Sequence, residues 1–248
     1  GAAFMDYLIA DSYLIPAEQE SAYAERILRL PHCYQPNDRK RPLAAPLSRA
    51  QYGLPDEGFV FCCFNQAVKI APEIFACWMS LLRKVPHSVL WLAEDNPWAT
   101  KNLKDAVQAH GIAPERLVFS PRLPYAQHLA RYRAADLVLD TFPYTSHTTA
   151  SDALWSECPL IALCGETFAA RVSGSILTAC GLPELIAYSL PDYEETAYRY
   201  ASDSDFAHRM RTKLSSAKSS APLFDSAAFT RDLERLYLDL AQTTGELL

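Results

Sequence analysis

The sequence predicts an α/β protein in which helices flank a sheet of parallel strands. Short, almost wholly apolar runs alternate with helix-length segments from Gly58 onward, a pattern typical of βαβ units. The apolar runs are rich in β-branched and aromatic residues, as expected for strands that are buried on both faces. Beyond residue 190 only helical periodicity continues, which predicts a helical C-terminal tail.

Strands are predicted where the apolar runs are short and bounded by turn residues. GFVFCCF and SVLWLA are the clearest of them, because they contain almost no polar residue. The predicted strands are Phe4–Asp11, Gly58–Phe64, Ser88–Ala93, Arg116–Ser120, Asp136–Asp140 and Pro159–Leu163.

Helices are predicted where apolar residues recur at helical spacing. Pro72 opens one of them at its first position, where a backbone N–H has no partner within the helix. The others before the tail are Ala17–Leu30, Thr100–His110, Pro124–Ala134, Thr148–Glu157 and Thr167–Cys180. The tail helices are Asp192–Ala201, Asp203–Lys218 and Ser226–Gln242. The segment Pro31–Pro46 is rich in proline and basic residues, which is typical of a connector between lobes.

The composition excludes several classes of protein. A chain of 248 residues, half of them hydrophobic, can form one large α/β domain or two small ones. The net charge of −6 argues against a nucleic-acid surface, where a basic face is expected. No apolar run reaches the ~18 residues of a membrane span, and no signal-peptide pattern is present. We therefore expect neither nucleic acid nor a membrane as a partner.

The cysteines indicate a reducing compartment. Their number, 7, is odd, no CxxC occurs, and most of them lie within apolar stretches. Buried thiols of a cytoplasmic protein fit this distribution better than a disulfide framework does. The chain begins with Gly1 and not with methionine, which suggests a fragment.

Ligands of open parallel sheets bind beyond the carboxyl ends of the strands, so the loops there are the candidate sites. The loop after Asp140 leads through hydroxyl residues into a helix near Thr148, and such a helix start attracts phosphate. His147, Thr148 and Thr149 can add donors, and Asp152 can accept hydrogen bonds from sugar hydroxyls. The alternative is an ordinary helix cap, with Asp152 near the positive end of the helix dipole.

Two other loops carry candidate ligand contacts. Gln66 and Lys69 follow the strand that ends at Phe64, and a lysine there can hold a diphosphate as a mobile point charge. His128 and Arg131 lie three residues apart and share a helix face, where a planar side chain can stack on a base. The alternatives are a solvated lysine and a surface histidine, which are common.

The loop after Leu163 is a further candidate site, and several common motifs are missing from the sequence. Gly165 and Glu166 either bring a second helix start to the cleft or form a simple turn. The sequence has no GxGxxG, no GxxxxGK[ST], no GxSxG, no HExxH and no Cys/His metal spacing. Phosphate charge would then be met by lysine, histidine, hydroxyls and helix ends, so we expect no metal and no cofactor.

Together, these loops resemble the C-terminal catalytic lobe of the O-GlcNAc transferase and SPINDLY-like family. The resemblance rests on FNQ..K (Phe64–Lys69), VPHSVLWL (Val85–Leu92), LDTFPY…HTT..DALW (Leu139–Trp155) and GETFAARVSGSILTACGLPELIA (Gly165–Ala187). It extends over nearly the whole chain, with the motifs in the same order. It implies the Rossmann-like C-terminal lobe of a GT-B fold.

The resemblance also implies a division of the chain and roles for the candidate residues. Residues 1–50 would be the end of the N-terminal lobe and the interlobe connector, 51–190 the nucleotide-sugar-binding lobe, and 191–248 helices packing on it. By this resemblance, Lys69 would contact the β-phosphate, with Gln66 near the phosphates. His147, Thr148 and Thr149 would surround the diphosphate. Asp152 would bind the ribose, and His128 would stack on the uracil with Arg131 close by.

The implied reaction is inverting transfer of N-acetylglucosamine from UDP-GlcNAc to Ser or Thr hydroxyls of proteins, with Lys69 as the catalytic cation. The alternatives are a GDP-fucose or UDP-glucose donor, a binding module that is inactive without its N-terminal lobe, or a two-lobed sugar-nucleotide epimerase. Tyr144 and Tyr125 replace a cysteine and a lysine of the animal enzyme. In the family, the N-terminal lobe and TPR repeats bind the acceptor protein.

Overall fold

A computed structural model describes residue 2 and residues 4–244 of the chain. Six parallel strands form the main sheet in the order β5-β4-β3-β6-β7-β8. They are β3 (Val60–Cys63), β4 (Val89–Ala93), β5 (Leu117–Ser120), β6 (Leu137–Leu139), β7 (Leu160–Leu163) and β8 (Ile186–Ala187). The predicted α/β fold with a parallel sheet is therefore confirmed, although β8 was not predicted.

Eight α-helices accompany the strands within the described part of the chain. They are α1 (Pro72–Lys84), α2 (Pro97–Ala109), α3 (Tyr125–Arg131), α4 (Thr148–Trp155), α5 (Phe168–Ala179), α6 (Leu190–Ser202), α7 (Ser204–Ser220) and α8 (Ser226–Thr244). The last three confirm the predicted helical tail. None of the helices described is long and apolar enough to span a bilayer.

The starts of α1 and α2 follow from the residues at their first positions. Pro72 is the first residue of α1, as predicted. The Asn96 side chain accepts a hydrogen bond from the backbone N–H of Ala99 at 2.9 Å, so α2 begins at Pro97 and not at the predicted Thr100.

The core lies on both faces of the sheet and reaches the edge where the strands end. All four residues of β3 and of β7 are buried. The Trp78 indole of α1 donates to the Tyr193 hydroxyl of α6 at 3.1 Å, and that hydroxyl donates to the backbone carbonyl of Asp140 at 3.0 Å. The packing of two helices thus fixes the backbone at the end of β6.

The strand order reverses between β3 and β6. The chain runs from β3 outward to β5 on one side, and from β6 outward to β8 on the other. The crevice beyond such a reversal is where open α/β sheets bind ligands. This position brings the Gln66–Lys69 segment and the 140–147 loop together.

The predicted helix Ala17–Leu30 is wrong. A short 3-10 turn, Ala17–Ala22, is followed by the strand β2 (Arg26–Leu30), which pairs in parallel with β1 (Tyr7–Asp11) as a separate sheet. Glutamate, glutamine, alanine, leucine and arginine favour helix locally. Pairing with β1 satisfies the backbone of this segment, and it buries Leu30.

Asp11 ties this first segment to the rest of the molecule. Its buried carboxylate accepts from the backbone N–H of Leu14 at 2.7 Å, the N–H of Tyr34 at 2.9 Å and the hydroxyl of Ser175 at 2.6 Å. The connector and α5 are thereby joined to the end of β1. The division into regions 1–50, 51–190 and 191–248 stays a prediction.

Candidate functional site

Lys69 faces the turn that opens α4, as the sequence hypothesis requires. Lys69 ends a short 3-10 turn, and its Nζ donates to the backbone carbonyl of Thr145 at 3.3 Å. The same ammonium lies 4.0 Å from the centroid of the Tyr144 ring. That ring is stacked on His147, with centroids 5.1 Å apart and planes inclined by 19°. The cation, the aromatic ring and the imidazole therefore form one cluster at the strand-order reversal.

A buried polar network beneath this cluster holds the 140–147 loop. The Asp140 carboxylate accepts from the backbone N–H of Thr141 at 2.8 Å, and from the N–H and hydroxyl of Ser146 at 2.9 and 2.6 Å. Asn65, at the end of β3, donates to Asp140 at 3.3 Å and to Ser146 at 2.6 Å. Burial raises the pKa of Asp140, and the bonds from Ser146 oppose that rise. Neither Asn65 nor Asp140 was among the predicted site residues.

The start of α4 presents donors without intrahelical partners. Thr148 and Thr149 occupy its first turn, where backbone N–H groups are left free by the helix. The Nε2 atom of His147 is buried and has no hydrogen-bond partner among the described residues. Burial, and then the charge of Lys69, lower the pKa of His147. The imidazole is therefore neutral at neutral pH, and a neutral ring carries one N–H.

A cavity of about 230 Å³ opens beyond the ends of β3, β4 and β5. Gln66, His128 and Arg131 line it. Arg131 is buried, with its guanidinium 3.7 Å from the centroid of the Phe64 ring, and it donates to His128 Nδ1 at 2.6 Å and to Ser120 at 3.1 Å. The structure thus brings Gln66 and His128 to one cavity and makes Arg131 the support of the imidazole.

The protonation state of His128 follows from this environment. Burial, reinforced by the charge of Arg131, lowers the pKa of His128 to about 4. Since Arg131 donates to Nδ1, the neutral ring carries its hydrogen on Nε2. The Nε2 atom lies 3.9 Å from Oδ2 of Asp152.

Asp152 is buried, and one of its carboxylate oxygens already accepts hydrogen bonds from the protein. Its Oδ1 atom accepts from Arg41 at 2.9 Å and from the Tyr125 hydroxyl at 3.0 Å. Burial raises the pKa of Asp152, whereas Arg41 and Tyr125 lower it. Arg41 lies in the Pro31–Pro46 connector and was not predicted as a site residue. The basic composition of that connector was the one signal of it in the sequence.

Comparison with known proteins shows the family to which the chain belongs. Residues 39–233 match the family model of Glycosyl transferase family 41. The chain belongs to this family. Its sequence is 36% identical, over 97% of the chain, to the probable UDP-N-acetylglucosamine--peptide N-acetylglucosaminyltransferase SEC of Arabidopsis thaliana. It is 39% identical, over 76% of the chain, to the UDP-N-acetylglucosamine--peptide N-acetylglucosaminyltransferase of Caenorhabditis elegans.

A solved relative has the same fold. A mutant of the Thermobaculum terrenum O-GlcNAc transferase superposes with a TM-score of 0.85 at 32% identity, over 97% of this chain and 46% of that one. The predicted family and the C-terminal lobe of a GT-B fold are thereby confirmed. The chain spans 25% of the length of the Arabidopsis relative and 16% of that from Caenorhabditis elegans.

The loop after β7 in this family 41 chain is a capped turn. The Thr167 hydroxyl accepts from the backbone N–H of Ala170 at 3.3 Å, and Glu166 is exposed. A Cβ atom on Gly165 would lie 2.9 Å from the Phe142 ring, so glycine allows that ring to approach the loop. Of the two interpretations of Gly165 and Glu166, the geometry favours the simple turn.

Proposed function

We propose that this chain is the donor-binding lobe of an inverting glycosyltransferase. The reaction transfers N-acetylglucosamine from UDP-GlcNAc to Ser or Thr hydroxyls of proteins. The observation that carries this proposal is the meeting of Lys69, His147 and the first turn of α4 at the strand-order reversal. The donor and the peptide acceptor agree with the names of the plant and nematode relatives.

Lys69 has the catalytic role in this proposal. Negative charge grows on the β-phosphate as the glycosidic bond breaks, and a cation placed to meet that charge lowers the barrier more than it aids binding. Burial lowers the pKa of Lys69, and the neighbouring charge of Asp140 opposes this, which favours the ammonium form. A diphosphate would replace the Thr145 carbonyl as the partner of Nζ.

The remaining donors fit the other oxygens of a diphosphate. The free N–H groups of the first turn of α4 and the hydroxyls of Thr148 and Thr149 surround one side. His147 adds a neutral imidazole N–H next to Lys69. This donor set can meet the phosphate charge by itself, so the proposal needs no metal or cofactor.

The nucleoside half is proposed to extend from α4 to the cavity at His128. The imidazole lies at that cavity with Gln66 at its rim, and uracil would stack on the ring. Asp152, one turn into α4, would accept from the ribose hydroxyls through Oδ2. In this proposal the uridine and the diphosphate lie along the same edge of the sheet, beyond the carboxyl ends of the strands.

The acceptor and the compartment are also part of the proposal. The relatives are far longer than this chain, so the acceptor cleft is proposed to be completed by an N-terminal lobe and repeats outside it. All seven cysteines are free and buried, which suits the reducing cytoplasm.

Calorimetry with UDP and GDP on this chain tests the donor site. We expect UDP to bind, and Lys69→Ala to weaken binding by about 10–100-fold, because a hydrogen bond to a charged group contributes ~1.5–3 kcal/mol. Lys101→Ala is the matched control, since Lys101 is exposed and pairs with Asp105 on α2. Tight binding of GDP without UDP would overturn the donor assignment, and binding of neither would overturn the proposal.

A further inference from the structure

The interlobe connector reaches the candidate ribose site through a buried arginine. Arg41 Nη1 lies 2.9 Å from Asp152 Oδ1, and the two side chains are only 8% and 6% exposed. Taking both charges out of water costs more than an apolar pair of the same volume would, so a buried ion pair is weak evidence of a stabilising role. Its position against α4 points to a role in the site.

Arg41 is itself held in place by hydrogen bonds other than those to Asp152. Its Nη1 atom also donates to the Ser151 hydroxyl at 3.3 Å, and its Nη2 atom donates to the side-chain oxygen of the buried Asn37. Asn37 in turn donates to the carbonyl of Gln35 at 3.0 Å, and the Gln35 amide donates to Ser151 at 3.4 Å. This part of the connector is therefore fastened to α4 by side-chain bonds.

The bonds to Asp152 leave one oxygen for a ligand. Arg41 and the Tyr125 hydroxyl both donate to Oδ1. Oδ2 is 3.9 Å from His128 Nε2, beyond hydrogen-bond distance, and His128 lines the cavity beyond β3, β4 and β5. A carboxylate oriented in this way can accept from two adjacent hydroxyls through Oδ2.

We propose that Arg41 is a positioning residue of the donor site, which orients Asp152 so that Oδ2 accepts from the ribose hydroxyls. The inference rests on the proposed function, because it assumes a uridine diphosphate at this site. Arginine suits the task since its planar fork reaches Asp152 with one nitrogen and Asn37 with the other, which an ammonium group cannot reproduce. The connector thereby becomes part of the nucleotide site.

The test compares UDP with 2′-deoxy-UDP by calorimetry on the chain. In the wild type, loss of the 2′-hydroxyl removes a bond to a charged group, and we expect affinity to fall at least tenfold. In Arg41→Met this penalty shrinks to about twofold, because Asp152 is no longer oriented. Arg39→Met keeps the wild-type penalty, since Arg39 is exposed in the same connector and donates to the Ser219 carbonyl at 3.3 Å.

A second variant covers the case in which Arg41→Met does not fold. Arg41→Lys keeps the charge but loses the fork, so an intermediate penalty is expected. A wild-type penalty in both Arg41 variants would overturn the positioning role and leave the proposed function standing. A wild type that binds both nucleotides equally would also overturn it, whereas a wild type that binds no UDP would overturn the proposed function and this inference with it.

Discussion

At the scale of single residues, Lys69 is controlled by neighbours that act in opposite directions. Burial lowers its pKa, and the charge of Asp140 beneath the loop opposes that effect. The Tyr144 ring, 4.0 Å from Nζ, covers the ammonium without neutralising it. The result is a cation that is partly desolvated and held by weak contacts, which a diphosphate can replace.

His128 makes the stability of the fold depend on pH. Its pKa is lowered to about 4 in the folded chain, against 6.5 for an ordinary histidine. The unfolded chain therefore binds more protons between these values, so stability is complete above about pH 6.5 and falls as the pH decreases towards 4. Arg131 strengthens the effect, while Asp152, 3.9 Å from Nε2, faces the same ring.

We expect His128→Gln to lose less stability than the wild type between pH 6.5 and 4.5. The difference should be on the order of 1–2 kcal/mol, because part of the imidazole is screened by solvent. Urea unfolding at several pH values measures it, with His110→Gln as a control, since His110 is exposed at the end of α2. Equal acid sensitivity of wild type and His128→Gln would contradict the assignment of a neutral, buried ring.

The proximity of Lys69 and His147 could be predicted from the sequence, because parallel strands bring the loops that follow them to one edge of the sheet. The roles of Lys69, His147 and Asp152 in binding stay a prediction. The contacts of Arg41 and Asp140 could not be predicted. Arg41 is separated from Asp152 by 111 positions, and Asp140 acts through bonds to Asn65 and Ser146 that exist only in the folded loop.

At the scale of secondary-structure elements, capping residues set helix starts, and pairing between strands can override helix propensity. The start of α2 at Pro97 follows a local rule, because Asn96 is a favourable capping residue and proline is favoured at the first helical position. The strand β2 follows from no local rule, because its residues and those before it favour helix and only pairing with β1 makes it a strand. Predictions from periodicity therefore hold best where a helix packs a clear apolar face.

The cap of α2 gives a test at this scale. We expect Asn96→Ala to destabilise the fold by about 1 kcal/mol, because the N–H of Ala99 loses its acceptor. Urea unfolding measures the change in the free energy of unfolding. Asn102→Ala, an exposed position within the same helix, should be neutral or slightly stabilising. Equal effects of the two substitutions would mean that the cap contributes nothing.

At the scale of the whole molecule, the strand order decides which loops meet at one edge of the sheet. The alternation of elements predicts a parallel sheet, but the order β5-β4-β3-β6-β7-β8 depends on contacts far apart in the chain. The reversal between β3 and β6 brings together the Lys69 segment, the start of α4 and the cavity lined by His128. The fold thus places these groups close together, and the proposed function depends on that placement.

A crystal structure of the chain with UDP would locate the nucleotide on the molecule. We expect the pyrophosphate against the first turn of α4, with a phosphate oxygen within about 3 Å of Lys69 Nζ and the uracil in the cavity lined by His128. UDP in another cavity, such as the one of about 540 Å³ lined by His32 and Lys213, would contradict it.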